Sequence, residues 1–324
     1  MEFRSKLWNV IWDGKDKLKI LHWVKKEKSG LVKTVGELGT YEEKMGHSVS
    51  LRTPSECQTI YGFKDDNTDI HCIHSQINPI YYKDGKPKIL FLHGEPDYGM
   101  MTKISISAIM DLVPLVDCMI AFNEDEAKIW NSFKRTYVIP KGINLDIYKP
   151  KDVGKKLRGN PSILYCEHWR TFRHPLHLLI AMERVIKKCP NAKLYLFGCP
   201  KEDKDFWMRI INQNRYVIFT PGIFQFQPDM VSLLNLADIV VSPVYPSYGR
   251  VSLEALACNK PVVAYNTNPH ATYKCQPYNP DDLAEKIIRC FEEKPNGQRK
   301  YAEEKLSAEV MTAKAIEIYR RFLQ

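Results

Sequence analysis

Residues 245–265 read YPSYGRVSLEALACNKPVVAY, and within them a glycine, an arginine and a glutamate are spaced to hold an anion. Gly249 has no Cβ, so the main chain there can approach a bound group closely. The helix that follows begins at about Arg250 or Val251. The amides of Tyr248, Gly249, Arg250, Val251 and Ser252 then point outward, with the positive end of the helix dipole behind them. That combination is a seat for a phosphate. Arg250 adds a side-chain charge to it, and Glu254, one turn in, can reach past phosphates to accept hydrogen bonds from ribose hydroxyls. A plain strand-turn-helix with its glutamate in solvent has the same pattern, and the segment alone leaves both readings open.

The elements that position this segment follow from hydrophobic periodicity. Short β-branched and aromatic runs alternate with helical patterns from end to end, which predicts α/β layers with parallel sheets. The first series of strands is LKILHWV (18–24), SVSL (48–51), DIHCIH (69–74), KILFLH (88–93), CMIAF (118–122) and TYVIP (136–140). Helices fit at 31–45, 102–113 and 124–133, the last with Asn123 as its cap and Glu124, Asp125 and Glu126 in its first turn. A second series runs SILYC (162–166), KLYLF (193–197), YVIFT (216–220), DIVVSP (238–243) and PVVAY (261–265). Its helices fall near 176–189, 203–213, 228–236 and 251–258, and two more, 280–293 and 299–323, close the chain. The break near 145–160, rich in Gly, Pro and Lys, divides the sequence into domains 1–150 and 151–324. The fold class is therefore α/β, two Rossmann-like domains facing across a cleft at the carboxyl ends of their sheets, where such sheets bind ligands. FLHGEPDYG (91–99) places His93 and Gly94 at one of those strand ends.

Composition narrows the classes. The chain has 324 residues, 44% hydrophobic and 26% charged, which excludes disordered, collagen-like and coiled-coil proteins. No apolar run approaches the roughly 20 residues that span a bilayer, and Lys15, Lys17 and Lys19 stand where a signal peptide has its apolar core, so the expected compartment is cytoplasmic. Nine scattered cysteines without a C-x-x-C read as reduced, buried thiols. The net charge of +9 divides as +1 over residues 1–150 and +8 over 151–324, with +5 in the first 35 residues. Such a balance suits a solvated lysine-rich surface, and it also suits a polyanionic partner or peripheral attachment to an anionic membrane. The acidic clusters Glu124-Asp125-Glu126 and Asp281-Asp282 sit at helix starts, where capping and the dipole explain them, so no metal site is expected.

Beyond these patterns, GRVSLEALACNKPVVAYN resembles the nucleotide-binding signature of group-1 retaining glycosyltransferases, which usually read E-G-F-G-x-x-x-x-E-A-x-A-x-G-K-P-V-V-A. YVIPKGINLDIYKP (137–150) is similar to the family's V-I-P-N-G-V-D-x-x-x-F-x-P, and LLNLADIVVSP (233–243) to its L-Y-x-x-A-D-x-x-V-x-P. SILYCEHWRTFRHPLHLLIAMERVIKKCPNAKLYLFG (162–198) looks like the first strand-helix-strand of the family's donor domain. Residues 20–51 match its strand, glycine loop, helix and K-x-G-H-x-V.

The resemblance implies a GT-B fold, a nucleotide-sugar donor held mainly by the C-terminal domain, and a final helix at about 299–323 packing back toward the N-terminal domain. It implies that Glu254 binds the ribose and that Tyr248, Gly249, Arg250 and Val251 cradle the diphosphate. His168 and Arg173 take the places of the family's arginine and lysine against the leaving group, with Arg170 between them. His93 becomes the candidate histidine contacting the donor sugar, and Gly30 the single glycine where relatives carry a pair. The catalytic candidates are thus His93, Arg173 and Arg170, without metal or cofactor and with a UDP-sugar as the expected donor. Pro246 departs from the pattern, standing where the family has its first motif glutamate, an acid that normally contacts the sugar. The implied reaction is transfer of a sugar to an acceptor hydroxyl with retention. Small molecules, glycans, membrane lipids and hydroxylated DNA bases, as viral DNA-modifying glycosyltransferases use, all remain acceptors to consider. The nearly neutral charge of 1–150 favours a small molecule or glycan. A non-catalytic sugar-nucleotide-binding protein and an epimerase of the same architecture are the rival readings.

Overall fold

A computed structural model describes residues 17–24, 30–53, 67–74, 84–93, 106–154, 156–167, 175–198, 204–221, 227–245 and 248–324. The chain divides into two compact units, residues 1–142 with 306–324, and residues 143–305.

The first unit opens with β1 (Lys19–Trp23), α1 (Gly30–Lys44), β2 (Ser48–Arg52), β3 (Ile70–Ile73) and β4 (Lys88–Phe91). It continues through α2 (Ile106–Leu112), β5 (Cys118–Ala121), α3 (Glu124–Trp130) and β6 (Thr136–Val138). The sheet is parallel throughout, in the order β2-β1-β3-β4-β5-β6. Parallel strands are covered on both faces, and alternation assigns each residue to one of them. Ile20, Ile70, Cys72, Ile89, Phe91, Cys118 and Ile120 form one core, while Leu21, Trp23, Ile73, Leu90, Met119 and Ala121 form the other with Ile109, Ala127 and Trp130. Each leucine, isoleucine, methionine or phenylalanine so buried contributes about 1.5–3 kcal/mol relative to exposure. Asn123 caps α3, its side-chain oxygen accepting from the Glu126 amide at 2.7 Å, as the sequence predicts.

The second unit runs β7 (Ser162–Tyr165), α4 (Leu176–Lys188), β8 (Lys193–Gly198), α5 (Lys204–Gln213), β9 (Val217–Pro221), α6 (Gln227–Leu236) and β10 (Ile239–Ser242). Then come α7 (Arg250–Ala257), β11 (Val262–Tyr265), β12 (Tyr273–Cys275), α8 (Pro280–Glu293) and α9 (Gln298–Lys305). Its sheet, also parallel, has the order β12-β11-β10-β7-β8-β9. This is the doubly wound order of a dinucleotide-binding fold, and its reversal point lies between β7 and β10.

The last helix, α10 (Ala308–Arg321), belongs to the first unit, where its Ala308, Met311, Ala315, Ile316 and Tyr319 join the core that contains Leu38 and Tyr41 of α1. The single helix expected over 299–323 is thus two, α9 and α10. Ser307 separates them by accepting from the Glu309 amide at 3.1 Å, which restarts the helix. Of the expected helix 102–113, residues 102–105 lie outside the described residues, and α2 is described from Ile106 to Leu112.

Where α10 begins, Gly142 fits against it without any space for a side chain. A Cβ there would lie 2.5 Å from Ala308 Cα and 2.9 Å from its nitrogen, both backbone atoms that cannot turn aside. Gly142→Ala is therefore expected to destabilise the protein by about 2–3 kcal/mol. Thermal denaturation should show this as a melting temperature lower by several degrees, whereas an unchanged one would mean that the helix start yields freely.

Among the described residues, Cys72, Cys118, Cys166, Cys189, Cys258, Cys275 and Cys290 are all buried and unbridged, as expected; Cys57 and Cys199 lie outside them. No described helix is long and apolar enough to cross a membrane.

Candidate functional site

The reversal point of the second sheet brings together the segments after β7 and β10, the place where doubly wound sheets bind ligands. After β10 the chain reaches Tyr248, buried with its ring edge-on to His270 at 5.2 Å, and then Gly249, which caps α7 with φ −76° and ψ 149°. The helix start is therefore where the sequence puts it. Its surroundings differ from expectation in three respects.

First, the amides are not all open. The Ser252 N–H donates to the Gly249 carbonyl at 3.2 Å, closing the first turn and removing Ser252 from the expected row of outward donors. Second, Arg250 faces its own helix. Its Nε donates to Glu254 Oε1 at 2.8 Å, and its guanidinium lies 6.0 Å from the centre of the Tyr148 ring. The two side chains are only 10% and 3% exposed, so this i,i+4 pair is held in a low-dielectric setting where both charges depend on each other. Glu254, expected to reach toward hydroxyls, is thus oriented by Arg250.

Third, a carboxylate that sequence reasoning did not single out lies at the helix start. Glu167, two residues past β7, accepts from Ser242 Oγ at 2.8 Å, and a Cβ on Gly249 would meet its Oε1 at 2.1 Å. The glycine is needed here for close approach by a protein carboxylate, since its φ is one that any residue adopts. The signal was present in the sequence as an acid directly after an apolar strand. Burial, and then the charges of Glu167 and Glu254, push the Cys166 thiol well above its ordinary range. The start of α7 accordingly has one carboxylate beside it and a second one turn away.

The far end of α7 is anchored by α9. Arg299 donates to the Ala257 carbonyl at 3.0 Å and to the Tyr148 carbonyl at 2.7 Å, placing a cation at the negative end of the helix. Asn268 donates to Ser252 Oγ at 3.0 Å, both residues being buried. These contacts fix α7 along its length, so the orientation of Glu254 is built into the unit.

Of the other expected site residues, Val251 occupies the first turn of α7 and Gly30 opens α1. His93 lies two residues beyond β4 and is partly exposed, with its ring 5.1 Å from that of Phe122. His168, Arg170, Arg173 and Pro246 lie outside the described residues. The structure thus groups Tyr248, Gly249, Arg250, Val251 and Glu254 on one unit, and His93 and Gly30 on the other.

Residues 161–293 match the family described as Glycosyl transferases group 1. The chain is similar to D-inositol 3-phosphate glycosyltransferases of Mycobacterium bovis (strain BCG / Pasteur 1173P2) and Mycobacterium tuberculosis (strain ATCC 25618 / H37Rv). Each is 28% identical over 169 residues, covering 47% of this chain and 35% of the relative. The match thus spans about a third of those relatives' length. Among solved structures, a glycosyltransferase from Rickettsia africae ESF-5 superposes with a TM-score of 0.73 at 18% identity, covering 96% of this chain and all of that one. Anabaena Alr3699/HepE in complex with UDP-glucose gives 0.69 at 15% identity, covering 94% and 100%. The fold, two parallel six-stranded sheets with their helices, is that of the GT-B glycosyltransferases.

Proposed function

We propose, from the match of residues 161–293 to the group 1 glycosyl transferases, that this chain moves a sugar from a nucleoside diphosphate to an acceptor hydroxyl. The observation that carries the reading is the coincidence of that match with a buried, oriented glutamate and a glycine-led helix at the sheet's reversal point. In this reading Glu254 binds the ribose, and the main chain of Tyr248, Gly249, Arg250 and Val251 holds the diphosphate. Arg173, Arg170 and His168 offset the charge of the leaving group, with a guanidinium able to hold a phosphate at two points. Charge stabilisation of the departing diphosphate then supplies much of the rate. His93 is the candidate histidine for the donor sugar.

A UDP-sugar is the proposed donor, a relative of this fold having been crystallised with UDP-glucose. Retention is the proposed stereochemistry, and a small molecule or glycan the proposed acceptor. The test is a thermal-shift screen with UDP-, GDP- and ADP-sugars, followed by proton NMR of the anomeric centre in the product. A ligand at a hundred times its Kd stabilises by about 2.7 kcal/mol, which is readily seen. UDP-sugars are expected to raise the melting temperature and to yield product of unchanged anomeric configuration; the absence of stabilisation by every nucleotide sugar would overturn the assignment. Pro246 supports a second reading, a sugar-nucleotide-binding protein without transfer, for which binding would be tight and turnover absent with every donor.

A further inference from the structure

The space that Gly249 leaves by having no Cβ is filled by a protein carboxylate. A Cβ built there would stand 2.1, 2.9 and 3.0 Å from Glu167 Oε1, Cδ and Oε2, so the whole carboxyl group lies against the main chain at the start of α7. Glu167 is buried, and Ser242, the last residue of β10, donates from Oγ to its Oε1 at 2.8 Å. The positive end of a helix favours the charged form of a carboxylate so placed. Arg250, the cation of this first turn, is joined to Glu254 at 2.8 Å, so Glu167 brings a further negative charge to a place already shared by an ion pair. All of these residues belong to the one unit, 143–305.

The two nucleotides that such a site meets differ in charge. A nucleotide sugar has both phosphates esterified and carries about two negative charges. The nucleoside diphosphate left after transfer has an open terminal phosphate whose last ionisation falls near about pH 6, which gives it about three at about pH 8. The added charge arises when the bond from the sugar C1 to the terminal phosphate oxygen breaks and the electron pair stays on that oxygen; the proton lost by the acceptor hydroxyl balances it. An anion entering a helix start beside a resident carboxylate is repelled, and the repulsion grows with the charge it carries. Burial keeps salt from screening that carboxylate as it would at an open surface.

We propose that Glu167 is a specificity-determining residue that shifts the preference of this site from free UDP toward the nucleotide sugar and so hastens departure of the product, an inference that rests on the transfer reaction above. Whatever other groups its oxygens accept from, replacing the carboxylate by an amide removes one unit of negative charge. The residues proposed to offset the leaving group's charge, His168, Arg170 and Arg173, are the same for both ligands and in both proteins. Comparing two ligands in two proteins therefore isolates the interaction between Glu167 and the extra phosphate charge. The same repulsion opposes charge as it develops on the leaving oxygen, so Glu167 trades some ease of bond breaking for release, the step that limits turnover in many enzymes.

The test is calorimetric titration of UDP and of UDP-glucose, at about pH 8 where the terminal phosphate of UDP is fully ionised, into the wild type, Glu167→Gln and Glu167→Ala. Glu167→Gln keeps the shape of the side chain and an oxygen for Ser242. Glu167→Ala removes the same charge and relieves the contact with Gly249, so a folding defect in one variant leaves the other to be read. In each variant UDP is expected to gain about tenfold more in affinity than UDP-glucose gains, mostly as slower dissociation of UDP. Equal gains for the two ligands, or a larger gain for UDP-glucose, would overturn the inference and leave the glycosyltransferase reading in place. Failure of the wild type to bind either ligand would overturn that reading and the inference with it.

Discussion

Glu254→Ala will bind UDP on the order of a hundredfold more weakly than the wild type, as measured by calorimetric titration, because hydrogen bonds between a carboxylate and two ribose hydroxyls contribute about 3 kcal/mol together. The same substitution removes the partner of Arg250, whose Nε lies 2.8 Å from Glu254 Oε1 in a site where the two side chains are 10% and 3% exposed. Leaving one member of such a pair behind destabilises by about 3 kcal/mol. Weak binding could therefore follow from a loosened α7 alone. The double variant Arg250→Met, Glu254→Leu separates the two effects, since it fills the pair's volume with apolar atoms and should restore the melting temperature. If the ribose assignment is right, UDP affinity stays low in this double variant although stability returns. Recovery of affinity together with stability would mean that Glu254 serves α7 and nothing beyond it.

That ambiguity reflects what a linear sequence can and cannot carry. The strands were legible because each is a short apolar run flanked by polar turns, and a parallel sheet buried on both faces requires such runs. β12 was not, because three residues, Tyr273 to Cys275, with an intermediate, an exposed and a buried side chain give no period to read. The division of the last helix at Ser307 was present as a capping serine followed by Glu309, but the apolar spacing continued across it and masked the signal. The glycine-led start of α7 and the position of Glu254 were visible because local chemistry defines a helix start. Arg250 was assigned outward from its place in the first turn, whereas the i,i+4 spacing to Glu254 turned it inward. Glu167 and Gly249 are 82 positions apart, and only the β10-β7 pairing makes them neighbours. His22, His74 and His93 were each readable as a histidine within or after an apolar strand. The hydrogen bonds that join His22 to His74 and His74 to His93 depend on the sheet order β1-β3-β4, which no single segment encodes.

Gly249→Ala carries the second large expected effect, and its cause is open to a direct check. The backbone at Gly249, with φ −76° and ψ 149°, suits alanine, so conformational strain predicts almost no change. Contact predicts a severe one. The new Cβ would stand 2.1 Å from Glu167 Oε1, and that carboxylate, 5% exposed and bound to Ser242, has little freedom to withdraw. Overpacking of this kind costs about 2–3 kcal/mol and shifts the start of α7, where the diphosphate is proposed to lie. Glu167→Ala in the same chain removes the clash, and the two substitutions should couple by at least about 1 kcal/mol, the double variant being more stable than the sum of the singles. Additive effects in thermal or denaturant unfolding would place the Glu167 carboxylate away from the helix start. Glu167→Gln isolates the remaining question, whether this charge acts on the ligand. It keeps the side chain's shape and an oxygen for Ser242 while removing a negative charge beside the proposed phosphate seat. At an effective dielectric constant of about 20, two unit charges about 6 Å apart interact by nearly 3 kcal/mol, so UDP should bind at least roughly tenfold more tightly to Glu167→Gln. Unchanged affinity would mean that the diphosphate lies elsewhere than at the amino end of α7.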